Sequence, residues 1–186
     1  FELLQMHLGG FVSKNEYGTA CLWLDQIPEE YKEKSVKVAV FYSMFYAQDR
    51  AFEASHAWLA RARALLDQDG KGEIGAQERA LVGLAALNLL IRKDDVEALR
   101  ALIRSGGILD GNAFGTIEYM DLNDSSIYMY RSTVHVMVKL FETDRDAFHK
   151  LKSYYNIFST QNPGFMPLAG GEYFYERNRA DEARCS

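Results

Sequence analysis

The hexapeptide DRAFEA at residues 49–54 stands between two stretches whose apolar residues recur at helical spacing, FYSMFYAQ and HAWLARARALL. Similar hexapeptides occur three more times beside helical sequence: NEYGTA at 15–20, KDDVEA at 93–98 and NRADEA at 178–183. Asn and Asp satisfy free backbone groups in turns and at helix starts. We therefore predict that each hexapeptide is a turn between two helices, and that its final alanine lies where the second helix crosses the first.

The spacing of the hexapeptides indicates a repeat. Their final alanines include Ala20 and Ala54, which are 34 residues apart. This interval is the period of the tetratricopeptide repeat (TPR), a pair of antiparallel helices. The same offset relates two pairs of large residues on either side of the hexapeptides, Phe11 with Phe45 and Leu24 with Trp58.

The later intervals are longer, since Ala98 follows Ala54 by 44 residues and Ala183 follows Ala98 by 85. The last interval has room for a further unit, in which TDRDAF (143–148) ends in Phe instead of Ala. Solenoids tolerate such irregularity because each unit packs only on its neighbours. The sequence therefore predicts an all-α fold, a right-handed superhelical solenoid of TPR-like antiparallel helix pairs, as one domain over residues 1–186.

The individual helices follow from the same apolar periodicity, and Pro occurs only at their predicted ends. An irregular, Gly-rich loop is predicted near 105–124. The predicted helices lie at roughly 3–13, 16–26, 36–47, 51–66, 76–91, 95–104, 125–141, 145–159, 167–177 and 180–185.

Composition excludes several classes of protein. The 186 residues are 48% hydrophobic and 25% charged, which is typical of a folded globular chain. A net charge of −5 disfavours binding to DNA by this region itself, because nucleic-acid affinity depends on clustered Lys and Arg. The sequence has no apolar run long enough to span a membrane. We therefore expect no membrane partner.

No catalytic or metal-binding motif stands out. The four histidines, two of which are His135 and His149, never lie within three to five residues of one another or of a Cys. The chain has no phosphate-binding P-loop and no nucleophile elbow. Cys21 and Cys185 lie at opposite ends of the chain without a disulfide or metal-binding spacing. We therefore expect two reduced thiols in a cytoplasmic protein. We expect no enzyme activity, no metal and no cofactor; an enzyme would need His135 and His149 to meet carboxylates in one cleft.

The stretch DQDGKGEIGAQE at 67–78 resembles a calcium-binding loop in its spacing. Asp67, Asp69 and Glu78 occupy ligand positions of the twelve-residue pattern. Lys71, however, places an ammonium group where the ion needs an oxygen ligand. We therefore interpret this segment as a solvated loop between helices, with calcium binding as the open alternative.

Aromatic residues concentrate in the second half of the chain, where Tyr and Phe recur in SSIYMYR, SYYNIF and GEYFYER. They either pack between helix pairs or line a groove for a ligand or peptide, because Tyr offers both a stacking face and a hydroxyl. In the second case Arg131 would meet an anion, the tyrosines would stack or donate, and the serines would hydrogen-bond. The candidate ligand- or partner-binding residues are Ser125, Ser126, Tyr128, Tyr130, Arg131 and Tyr173.

The sequence resembles a known family, the helical-repeat sensor region of MalT-like, LuxR-family transcriptional regulators. The resemblance is clearest in ACLWLDQIPEEYKEKSVKVAVFYSMFYAQDRAFEASHAWLARARALL (20–66), where an Ile-Pro ends a Trp-Leu helix and a second Trp-Leu helix follows a turn. Later segments are similar in the same order: LLIRKDDVEALRALI (89–103), NDSSIYMYRS (123–132) and GEYFYERNRADEA (171–183).

The resemblance implies a non-catalytic regulatory domain that senses a small-molecule inducer or a partner protein, with self-association as a further possibility. In the family, ATP binds to an N-terminal module and DNA to a C-terminal helix-turn-helix. This sequence contains neither, so we expect it to be a fragment of a longer chain and assign those activities to absent segments. The alternative is a generic TPR-like adaptor for protein–protein interaction.

Overall fold

The chain folds into helices joined by short turns. The computed structural model describes residues 16–68, 75–106, 135–136, 138–158, 171 and 175, with the backbone alone for 152–158. This part of the chain contains helices and no strand, which confirms the predicted all-α class there. The helices are α1 Tyr17–Asp25, α2 Glu29–Lys32, α3 Val36–Gln48, α4 Phe52–Gln68, α5 Ala76–Arg92, α6 Val96–Arg104, α7 (138–143) and α8 Arg145–Phe158.

Most predicted boundaries in this part of the chain agree with the structure to within two residues. The short helix α2 was missed, because its one turn after Pro28 is too brief to show a period. Of the helix predicted at 125–141, the structure describes residues 135–136 and 138–141, which are helical, and the helix ends at residue 143. The helices predicted at 3–13 and 180–185, and all of 167–177 except Gly171 and Tyr175, lie outside the described residues.

Two of the hexapeptides form the same backbone turn. Residues 49–51 connect α3 to α4, and residues 93–95 connect α5 to α6; we call them the 49–51 joint and the 93–95 joint. The middle residue of each has a left-handed conformation, with φ of 60° at Arg50 and 58° at Asp94. Their hydrogen bonds also correspond, since Ala51 N–H donates to Tyr46 O and Asp95 N–H donates to Leu90 O. Both are Schellman turns.

A third joint is shorter. Asp144 alone separates α7 from α8. Its carboxylate accepts from Ala147 N–H at 3.1 Å, as Asp95 accepts from Ala98 N–H at 3.1 Å at the start of α6. The prediction that polar residues of the hexapeptides cap the second helix is confirmed at Asp95 and Asp144; at the 49–51 joint the polar residues make the turn, and Ala51 precedes α4. The fourth hexapeptide, NRADEA at 178–183, lies outside the described residues.

The structure does not place the alanines of the 49–51 and 93–95 joints as predicted, and the helix predicted before Ala20 lies outside the described residues. Ala20 is fully buried, but Ala54 and Ala98 are half-buried, and the next residues, Ser55 and Leu99, are the buried ones. One residue is about 100° around a helix. The second helix of each pair is therefore rotated relative to the prediction.

The core forms around α3 and α5, which are buried on most sides. Ser35 begins α3 by accepting from Val38 N–H at 3.3 Å. The contacts run between helices that are close in the chain. They join α1 to α3, α3 to α4 and α5, α4 to α5, α5 to α6, and α6 to α8. The last of these contacts brings the 93–95 joint next to the Asp144 joint.

Candidate functional site

The residues that the sequence nominated for ligand binding are not tested by the structure. Ser125, Ser126, Tyr128, Tyr130, Arg131 and Tyr173 all lie outside the described residues. So do residues 69–74 of the calcium-like segment and most of the loop predicted near 105–124. In the part of the chain that the structure describes, no three His, Cys, Asp or Glu side chains come together as metal ligands would.

An open cleft lies where the 93–95 joint meets α7. It encloses about 580 Å³. The 93–95 joint and the start of α6 form one wall, and α7 forms the other. We call this cleft the joint cleft. Its lining residues are Lys93, Asp94, Asp95, Val96, Glu97, Arg100, Lys139 and Thr143.

One group of ion pairs crosses the joint cleft at Asp94. The left-handed backbone directs the Asp94 carboxylate toward α7, where Lys139 Nζ lies 2.7 Å from Oδ2. His135 Nε2 lies 3.5 Å from the same oxygen. On the other side of the joint, Lys93 Nζ lies 3.4 Å from His56 Nε2 of α4. The joint thus contacts both the preceding and the following helix pair.

A second group of contacts surrounds Arg100 on α6. Arg100 donates to Thr143 Oγ1 at 2.7 Å and to Glu97 at 2.9 Å. Its Nε lies 3.5 Å from Asp144 Oδ2, and Arg104 approaches the same oxygen at 2.7 Å. Asp144 is buried among these groups. Two arginines of α6 therefore hold the carboxylate that caps α8.

The pKa of Asp144 is lowered. The N–H of Ala147 has the largest effect, because it donates a hydrogen bond to the carboxylate. Burial acts in the opposite direction, and the positive charges of Arg104 and Arg100 lower the pKa further. Asp144 is therefore ionised at neutral pH, and its negative charge is part of the contact between α6 and α8.

The joint cleft is suited to contact between polar groups. Three acidic and three basic residues line it, so it has no excess charge to attract an anion or a cation. Each lining base already contacts a side chain on the cleft wall or on α4. Thr143 Oγ1 donates to Lys139 O at 2.7 Å and accepts from Arg100, and hence no base in the described lining activates it. A ligand entering here would have to replace existing ion pairs.

Sequence reasoning missed the joint cleft. The sequence predicted a turn at KDDVEA but no partner for Asp94, which pairs with Lys139 while Asp95 caps α6. The signal was present in the two joint hexapeptides, KDDVEA and TDRDAF. If neighbouring units stack, their joints come together. The hexapeptides therefore indicate that the two joints lie close together, but not which side chains meet, because Lys139 and Arg100 lie outside both hexapeptides.

A second polar cluster lies within aromatic side chains of α1, α3 and α4. Tyr42 is buried and its hydroxyl donates to Asp25 Oδ1. Its ring stacks on Trp58 at a centroid distance of 4.2 Å and on Tyr46 at 6.0 Å. Burial, followed by the hydrogen bond to Asp25, raises the pKa of Tyr42. The hydroxyl therefore stays protonated and acts as a donor that holds the helices together.

Cys21 lies beside this cluster as a free, half-buried thiol. Burial raises its pKa from 9.0 to about 11, with smaller contributions from the carboxylates of Asp25 and Asp49. The thiolate is the reactive form of cysteine. At neutral pH Cys21 is therefore a weak nucleophile, and its place against the core indicates a packing role.

No helix among the described residues is both long and apolar enough to span a bilayer. No family model, no curated protein and no solved structure matches the chain.

Proposed function

We propose that this chain is a TPR-like helical-repeat region, a right-handed solenoid of antiparallel helix pairs, that serves as the non-catalytic sensor domain of a MalT-like, LuxR-family transcriptional regulator. It would bind a small-molecule inducer or a partner protein and relay that binding to an ATPase module and a DNA-binding helix-turn-helix elsewhere in the protein. The part of the proposal that concerns the regulator rests on the sequence resemblance given above.

The helical-repeat part of the proposal is supported mainly by the recurrence of one joint. Arg50 and Asp94 occupy the same position in their hexapeptides, both have positive φ, and both joints make the same pair of hydrogen bonds. The contacts between α1, α3, α4, α5, α6 and α8 also run between helices one or two places apart in the chain. Stacked helix pairs pack in this way, because each unit buries its apolar face on its neighbour. Such arrays present long surfaces to ligands and partners.

The proposed mechanism is a shift between arrangements of neighbouring helix pairs. The Lys139–Asp94 pair across the joint cleft and the Arg104–Asp144 pair outside its lining hold the α5/α6 pair against α7 and α8. A ligand that prefers a different angle between pairs shifts the population toward that angle, by an amount set by its difference in affinity for the two arrangements. Within the proposal, Ser125, Ser126, Tyr128, Tyr130, Arg131 and Tyr173 remain the nominated ligand contacts.

The regulator part of the proposal is tested by the reading frame that encodes the chain. It should also encode a P-loop ATPase module before this region and a helix-turn-helix after it. A reading frame with neither module would overturn the assignment to this family and would favour the adaptor.

The sensing part is tested by thermal denaturation of the 186-residue chain in the presence of a library of small metabolites. A ligand at about 100 times its Kd stabilises the folded state by about 2.7 kcal/mol. For a chain of this size the melting temperature should then rise by roughly 5–10 °C. A library without any stabilising compound contradicts small-molecule sensing.

The adaptor is the second candidate function. The specific observation that favours it is the exposure of large apolar side chains on α1 and α2, Leu22 at 64% and Tyr31 at 62%. Exposed apolar side chains of this size mark contact surfaces when they cluster. An adaptor would bind a protein or peptide and show no stabilisation by small metabolites.

A further inference from the structure

Four large hydrophobic side chains are strongly exposed in the described part of the chain, and three of them lie within ten residues of sequence. Leu22 is 64% exposed, Tyr31 62% and Trp23 50%; the fourth is Tyr175. Leu22 and Trp23 belong to α1, and Tyr31 belongs to α2. We call the exposed residues of α1 and α2 that include these three side chains the α1–α2 face.

The composition of α1 is that of a helix covered on both sides. Its nine residues, YGTACLWLD, include a single charged residue, Asp25, at the very end. Ala20 and Leu24 are fully buried on the side that packs on α3. Leu22 lies about 200° around the helix from Ala20, on the opposite side. A helix that is apolar on all sides is usually buried on all sides. The outer side of α1 therefore has the character of a contact surface.

The short helix α2 is held firmly against the end of α1. Lys32 is buried, and its Nζ donates to Asp25 O at 3.0 Å and to Glu29 at 3.3 Å. Asp25 is held in turn by the hydroxyl of Tyr42. This arrangement fixes the backbone of Tyr31 relative to α1. A surface that is already ordered loses less entropy when a partner binds.

The ionisable groups around this face are mainly acidic. Among residues 22–34, Asp25, Glu29, Glu30 and Glu33 are exposed, against one exposed base, Lys34, because Lys32 is buried. A second copy docked face to face would bring like charges together. A partner that is apolar on one side and basic on its edges would satisfy both the apolar side chains and the carboxylates.

We propose that the α1–α2 face is a docking surface for a cationic amphipathic helix of a partner protein. Leu22 and Tyr31 contact the apolar side of that helix, and Glu30 and Glu33 pair with Lys or Arg along its edge. This inference does not depend on the regulator proposed above, since it rests only on exposure, composition and charge.

The test is binding of a labelled synthetic peptide to the full 186-residue chain, measured by fluorescence anisotropy. The probe is an amphipathic helix of Leu and Lys about 14 residues long, enough for about four turns. A peptide with Glu in place of every Lys is the charge-reversed control. The Leu/Lys peptide should bind and the Leu/Glu peptide should not.

Variants locate the site. Leu22→Ser and Tyr31→Ser should each weaken binding of the Leu/Lys peptide by about tenfold, as truncation of a central apolar contact does. The double variant Glu30→Gln/Glu33→Gln should weaken binding and reduce its dependence on salt. The matched control is Glu53→Gln/Asp67→Asn, which removes the same charge from exposed positions of α4 and should leave binding unchanged.

Several results would overturn the docking surface. Equal weakening by the two charge-neutralising double variants would show general attraction to an acidic protein. Unchanged binding in both Leu22→Ser and Tyr31→Ser would place the peptide elsewhere, and tight binding of the Leu/Glu peptide would exclude a cationic partner. A dimer in sedimentation that Leu22→Ser dissociates would identify a second copy as the occupant.

Discussion

Tyr42 joins three helices through a single side chain. It extends from α3, donates its hydroxyl to Asp25 at the end of α1, and stacks its ring on Trp58 of α4. Arg61 lies over the same Trp58 ring, with its Cζ 5.4 Å from the ring centre. Since Tyr42 is only 1% exposed, both its ring and its hydroxyl act within the protein interior.

The substitution Tyr42→Phe tests the hydroxyl alone, because it keeps the ring and its stacking. Loss of the hydrogen bond should lower the free energy of unfolding by about 1 kcal/mol. Urea denaturation followed by circular dichroism measures the change. Tyr31→Phe is the control, since Tyr31 is exposed and its hydroxyl should contribute nothing measurable. Equal stability of Tyr42→Phe and the parent chain would show that the contact with Asp25 has no net value.

The stability of the protein should depend on pH through Asp144. The pKa of this carboxyl is lowered in the folded protein from its usual 3.8, so its ionised form favours folding. Its contribution is fully present above the unfolded pKa and is lost as the pH falls through the lower folded pKa.

The variant Asp144→Asn should therefore have a lower melting temperature than the parent chain at pH 7. On acidification, its melting temperature should fall by less than that of the parent chain. Melting temperatures measured between about pH 2 and pH 7 test this, a range that covers ordinary carboxyl pKa values. Asp146→Asn is the matched control two residues later, in the first turn of α8, because Asp146 is exposed. Parallel acid profiles for Asp144→Asn and the parent chain would contradict the assignment.

Residue-scale contacts of this kind were not predictable from the sequence. FYSMFYAQ was interpreted as a helix with apolar spacing, and the structure confirms that α3 contains it. The partner of the Tyr42 hydroxyl is 17 residues away in the chain. Local pattern carries no information about that distance, since it depends on how α1 and α3 pack.

At the scale of the elements, the joints decide how consecutive helices turn back on each other. Left-handed backbone usually requires glycine, because a Cβ atom crowds the following carbonyl. Arg50 and Asp94 adopt it with side chains present. Asp94 uses the conformation to reach Lys139, whereas Arg50 is exposed. The two joints have the same backbone conformation, but only the Asp94 side chain forms an ion pair that this conformation allows.

The substitution Arg50→Gly should therefore stabilise the protein, by about 1 kcal/mol, through relief of the left-handed strain. Asp94→Gly should gain less, because it also removes the pairing with Lys139 and His135. Chemical denaturation of both variants gives the comparison. Arg50→Val is the opposing control and should destabilise, since a β-branched residue strongly disfavours positive φ. A larger gain in Asp94→Gly than in Arg50→Gly would contradict this account of the joints.

At the scale of the whole molecule, α5 is central to one hydrophobic cluster, and α3 links that cluster to a second one. Helix α5 contacts α3, α4 and α6, and Leu89 on it is fully buried within the larger of two hydrophobic clusters. The smaller cluster joins α1 to α3 through Leu24 and Phe45. Both clusters contain side chains of α3, so neither forms independently of it.

The substitution Leu89→Ala should reduce the free energy of unfolding by roughly 2–5 kcal/mol, because it leaves a cavity at the centre of the core. Leu22→Ala removes the same atoms from an exposed position and should change stability by about 0.5 kcal/mol at most. Equilibrium unfolding in urea measures both. Similar losses for the two variants would show that the outer side of α1 is covered by the protein's own chain.

The candidate site was predictable only in part. The sequence indicated where the joints would be, but it gave no partner for Asp94 and nominated ligand contacts between Ser125 and Tyr173 that the described structure does not test. The joint cleft depends on Lys139 reaching Asp94, 45 residues earlier in the chain. No periodicity in the sequence encodes a contact across that separation.

The sequence by itself determined the all-α class, the approximate ends of most described helices and the positions of the three described joints. These follow from apolar spacing, capping and turn formation, which involve residues a few positions apart. Only the tertiary structure decided which side of each helix is buried, that Ser55 and Leu99 replace the expected alanines in the core, and that Leu22 and Tyr31 face outward. Those properties depend on how helices pack across tens of residues, and local propensity leaves that packing open.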